Sequence, residues 1–68
     1  MRENVNAAAM LDYLQFLMDD FKENEARFGM DDYTKKKMLD MIACKEMVEA
    51  LIGTPVNLQK DGKVTTGF

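Results

Sequence analysis

The sequence predicts a mainly α fold, an antiparallel two-helix hairpin followed by a small C-terminal β-hairpin and completed by homodimerisation. Three observations carry this. Apolar residues recur at helical spacing along two long segments, the link Gly29-Met30-Asp31 separates those segments, and Asp61-Gly62 stands between two short β-type runs. All of it fits one small domain spanning residues 1–68.

The first helix is expected over about 5–28. Ala7, Leu11, Leu14, Met18, Phe21 and Phe28 recur at steps of four and three, with Glu25 filling the one gap. Met10 and Leu17 widen the same stripe, while Asp12, Gln15, Asp19, Lys22, Glu23 and Arg27 fall opposite. That division is the signature of an amphipathic helix. Asn4 or Asn6 is the expected cap, and Gly29 supplies the left-handed residue after the last turn.

The second helix is expected over about 32–52. Asp31 and Asp32 suit its start, as a cap or as negative charge on the positive end of the dipole. Gly53, Thr54 and Pro55 end it, because the residue before a proline is pushed away from helical geometry. A link this short folds the two helices back on each other. Tyr33, Met41, Cys44, Val48, Leu51 and Ile52 form one apolar arc of this helix, with Met47 at its edge. Met38, Leu39 and Ile42 form a second arc, roughly 100° or more away on a helical wheel. One partner helix covers one arc, so Met38, Leu39 and Ile42 are the expected self-association surface.

Residues 56–68 read as the β-hairpin. Asp61-Gly62 fits a two-residue type I′ turn, which places Lys60 opposite Lys63. An isolated two-stranded hairpin is marginal in water, so it is expected to dock on the helices or pair with another chain.

Composition narrows the function. The 68 residues include nine Lys+Arg, twelve Asp+Glu and no His, and the net charge is −3. The His-based general base, the Ser-His-Asp triad and His-containing zinc sites are therefore excluded. The acidic balance argues against a non-specific nucleic-acid coat. A membrane span needs about 20 apolar residues, and Asp12 interrupts the only early apolar run. The lone Cys44 has no intramolecular partner and reads as a buried structural thiol; a soluble cytoplasmic setting is expected.

Residues 12–32 hold seven carboxylates against Lys22 and Arg27. They lack the spacing of a calcium loop and read as a solvated face, so no metal and no cofactor is expected. Phe16 is the more informative residue, an aromatic bracketed by Asp12, Asp19 and Asp20 on the polar side of the first helix. Tyr13, beside the core stripe, extends the same patch. Tyr13, Phe16, Asp12, Asp19 and Asp20 are the candidate contact surface for a larger protein, because buried aromatics dominate many interfaces. Lys35, Lys36 and Lys37 form the only basic run and read as partners of Asp31, Asp32 and Asp40.

These residues describe a non-enzymatic binding protein, a small regulator or inhibitor working through protein–protein contact. Two alternatives remain open. One is a nucleic-acid-binding regulator using Lys35–Lys37 in a dimer, and the other is a small-molecule or nucleotide binder with a pocket between subunits near those lysines and Tyr33.

Overall fold

The computed structural model describes residues 2–67. Helix α1 spans Arg2–Phe28 and helix α2 spans Asp32–Ile52; strands β1 (Val56–Leu58) and β2 (Val64–Thr66) follow as a two-stranded antiparallel sheet. The register pairs Val56 with Thr66, Asn57 with Thr65 and Leu58 with Val64. Helix α1 begins earlier than the expected cap, so Asn4 and Asn6 stand inside it. No glycine or proline interrupts residues 2–28, and nothing in the sequence forces a later start.

The ends of α2 are closed by named groups. The Asp31 carboxylate accepts the Thr34 N–H at 2.8 Å, which draws its pKa below the ordinary 3.8. At the far end Gly53 adopts a left-handed φ of 69° and donates its N–H to Glu49 at 2.8 Å.

The two helices meet along a narrow seam. Leu14, Met18 and Phe21 of α1 are buried with Met41, Cys44 and Val48 of α2, and Val56 of β1 completes the cluster. Leu14 and Phe21 are seven residues apart, as are Thr34, Met41 and Val48, so the seam follows a two-turn repeat. Thr34 is wholly buried and its Oγ1 finds no partner among the described residues. A seam this narrow leaves out residues that the wider apolar stripe included. Phe28, Tyr33 and Leu51 are exposed, because each lies on the flank of its helix rather than on the line that faces the other.

The β-hairpin docks across the groove on one side of the helix pair, and polar bonds hold it there. Gln15 Nε2 donates to the Gly62 carbonyl at 2.7 Å, and Gln15 Oε1 accepts the Val64 N–H at 3.0 Å. Lys22 Nζ donates to the Lys60 carbonyl at 3.0 Å. From α2, the Glu49 carboxylate accepts the Val56 N–H at 2.9 Å.

The turn differs from the expected type I′. That geometry requires positive φ at both central residues, and Asp61 does not have it. The Gly62 N–H instead bonds to the Gln59 carbonyl at 2.9 Å, so Lys60 and Asp61 occupy the centre of the turn. Gly62 follows at φ +92° as the left-handed residue of a three-residue loop. Gln59, not Lys60, then faces Lys63, with its N–H bonded to the Lys63 carbonyl at 2.9 Å. The Asp61 carboxylate accepts the Lys63 N–H at 3.0 Å, a local bond that holds this arrangement.

Two expectations follow. Gly62→Ala places a side chain at φ +92°, and its Cβ meets nothing closer than Lys22 Cγ at 3.9 Å. The cost is therefore conformational, about 1–2 kcal/mol, and urea denaturation reads it directly. The second concerns acid. The Val56 N–H, and after it Lys45 at 3.0 Å, holds the Glu49 carboxyl below its ordinary 4.5. A depressed folded pKa stabilises above the unfolded value and loses that stabilisation as pH falls through the folded one. Glu49→Gln is expected to be less stable than the parent at neutral pH, with the gap closing below about pH 4.5. Paired denaturation curves at neutral and acid pH measure it.

Candidate functional site

The hairpin closes one side of the helix pair and leaves the other open. On the open side lies a groove of about 300 Å³, lined by Met10, Tyr13 and Leu17 of α1 and by Asp40, Ala43, Cys44 and Met47 of α2. Tyr13 is 56% exposed and Met47 61%, and these two walls stand over a floor that includes the buried Cys44. Desolvation pushes the Cys44 thiol above its ordinary value, so it stays protonated at neutral pH. What the groove offers is apolar contact.

Tyr13 links this groove to Phe16. The two rings stack with centroids 6.3 Å apart and planes 21° from parallel. Phe16 is 61% exposed, and by helical period it points away from α2. The docked hairpin does not cover it. Asp12 and Asp19 are exposed on the same helix, and Asp19 accepts a bond from Gln15 Nε2 at 3.1 Å. Asp20 is differently placed, since its carboxylate is paired with the Lys37 ammonium of α2. Three of the five candidate contact residues thus share one outward surface with Tyr13 at its edge, while Asp20 serves to hold the helices together.

That pair corrects the reading of the basic run. Asp31 caps the helix and Asp20 reaches Lys37 from the other helix. Lys37 lies on the side of α2 that faces α1, which puts it within reach of that helix and away from the acids nearest in sequence. The ammonium also sits 4.6 Å from the centroid of the Tyr33 ring. Asp20 first, and Tyr33 after it, raise the Lys37 pKa above its ordinary 10.5. Lys35 and Lys36 are exposed and make no ion pair among the described residues.

The second arc of α2 divides. Met38 packs against the core, Ile42 is partly exposed, and Leu39 is 62% exposed on the outer side of the helix. Among the described residues no group of three or more acidic or thiol side chains is placed to hold a metal ion. No described helix is long and apolar enough to cross a membrane.

Gln15 and Glu49 are the groups that sequence reasoning missed. Both sit on helix surfaces where a solvated role is the default, and only the docked hairpin gives them backbone partners.

No family model matches the chain, and neither a curated protein nor a solved structure matches it.

Because Phe16 is exposed, its ring contributes little to folding. Phe16→Ala is expected to change stability by less than about 1 kcal/mol. Leu14→Ala, two residues earlier on the buried seam, is expected to cost about 2–5 kcal/mol. Urea denaturation of the two variants checks the contrast.

Proposed function

We propose that the chain is a non-enzymatic binding protein, a cytoplasmic regulator or inhibitor that acts by docking on a larger protein. The observation that supports this reading is the stacked Tyr13–Phe16 pair, left in solvent with Phe16 on the outer side of α1 and Tyr13 at its edge. An aromatic pair of this kind is a preformed anchor, because each ring limits the other's freedom before contact. Asp12 and Asp19 beside it suit a partner whose apolar socket is ringed by Lys or Arg. Rim charges of this sort speed encounter and select partners, and the buried ring supplies most of the affinity.

The nucleic-acid reading is the weaker one. Of its three lysines, Lys37 is committed to Asp20, and the chain as a whole carries net negative charge.

The test is comparative capture from an extract of the source cells, with the parent chain and Phe16→Ala immobilised side by side. A protein retained by the parent is expected to bind the variant about 30-fold more weakly, the loss of a hot-spot residue. Equal retention by both chains overturns the assignment of Phe16.

A further inference from the structure

The described residues leave more large apolar side chains in solvent than they bury. Seven hydrophobic residues form the core, whereas nine large ones are exposed. The exposed set is not scattered. Tyr13 and Met47 line the open groove, and helical period places three more on the same side. Leu51 follows Met47 by four residues, Tyr33 precedes Asp40 by seven, and Phe28 follows Leu17 by eleven, about three turns. Five of the nine therefore form one stripe running along the whole helix pair, on the side opposite the hairpin.

We infer that this stripe is covered by a second copy of the chain, packed groove to groove as a four-helix bundle with the hairpins on its outer faces. Area supports that occupant. Helix α2 is 21 residues long, and two helices side by side over that length present a face of roughly 30 by 20 Å. A symmetric pair then buries on the order of 1,200 Å² in total, the lower end of what a stable specific interface needs. Charge permits it as well. Asp40 is the one charged residue lining the groove, helical period adds Lys36, of opposite sign, to the margin of the stripe, and Asp20 and Lys37 neutralise each other. A two-fold axis suits two identical apolar grooves because each serves as the other's complement. The near-antiparallel packing of α1 and α2 is the geometry from which four-helix bundles are built. This differs from association through Met38, Leu39 and Ile42, since Met38 is already packed on the core and only two residues of that arc are left.

The test uses light scattering on the full chain over a dilution series from about 200 µM to about 1 µM, with three variants. Met47→Lys and Ala43→Lys put a charge in the groove. Leu39→Lys alters a residue of almost the same exposure as Met47, 62% against 61%, on the outer side of α2. All three positions are solvent-exposed, and circular dichroism confirms that each variant is helical. The expected result is a dimer for the parent and Leu39→Lys, with the dissociation constant raised about 30-fold or more by each groove variant. A monomeric parent across the range overturns the inference. So does a dimer that Leu39→Lys dissociates and the groove variants do not, or one that none of them disturbs. Capture of a foreign partner through Phe16 is read in a separate assay, so failure of one proposal is distinguished from failure of the other.

Discussion

The buried seam between α1 and α2 is narrow, three apolar residues on each helix with a few half-buried neighbours, and most of the structure follows from that narrowness. Leu14, Met18 and Phe21 fill the line on one helix, and Met41, Cys44 and Val48 fill it on the other. Each fully buried aliphatic side chain is worth about 1.5–3 kcal/mol. Seven buried apolar residues, of which Leu14 and Val48 are wholly enclosed, are a small reserve against the entropy of ordering two helices. Neither helix is stable on its own merits, since most helical stability in proteins comes from packing an amphipathic face. What α1 and α2 gain from each other is therefore decisive, and what lies beside the seam has to be secured by other means.

The β-hairpin shows one such means. It brings Val56 into the core, with Leu58 and Val64 packed against it, but its position is set by Gln15, Lys22 and Glu49. Gln15 is bidentate, giving one bond to Gly62 and taking one from Val64, so it fixes both the height and the register of β2 on α1. A single hydrogen bond contributes about 1 kcal/mol net, but losing a partner to a half-buried backbone group costs more. Polar anchoring of this kind is directional where apolar contact is not. It also explains the five-residue connection between β1 and β2, because Gly62 must present its carbonyl to Gln15 and does so from the left-handed position after the turn.

Period and punctuation made the fold legible in the sequence. The steps of Leu11, Leu14, Met18 and Phe21 marked α1, and Asp31 and Gly53 marked the two ends of α2 within a residue. Hydrophobicity could not say how wide the buried line would be. Phe28, Tyr33 and Leu51 satisfy the same pattern as Phe21 and Val48 and yet stay in solvent, while Thr34, polar and so outside the pattern, is buried. Composition is blind to that difference because it depends on the distance between helix axes, a property of both helices together. The turn was misjudged for a related reason. Asp61-Gly62 has the residue types of a type I′ turn, and the longer loop is held both by the local Asp61–Lys63 bond and by Gln15 from 47 residues away. The exposure of Phe16 was legible because an aromatic among aspartates falls on the polar side of any helical wheel. The pairing of Asp20 was not, since only the third dimension brings Lys37 to it.

The two faces of α1 separate the roles its exposed side chains can play. Tyr13 belongs to both, lining the groove on one side and stacking on Phe16 on the other. Phe16 itself points away from α2, so a second copy seated on the groove leaves that ring at the outer edge of the bundle. Each dimer then carries two Phe16 anchors, related by the same two-fold axis, each beside its own Asp12 and Asp19. A partner that is itself symmetric can engage both at once, and its second contact is intramolecular, which raises avidity without any new chemistry. A monomeric partner engages one and leaves the other free, so the stoichiometry of capture reports the symmetry of whatever is captured. Sealing the groove also holds the Tyr13 ring, and with it the Phe16 ring stacked against it. In the proposed dimer the outward anchor is therefore pre-organised, and the two proposed surfaces are coupled through one aromatic contact.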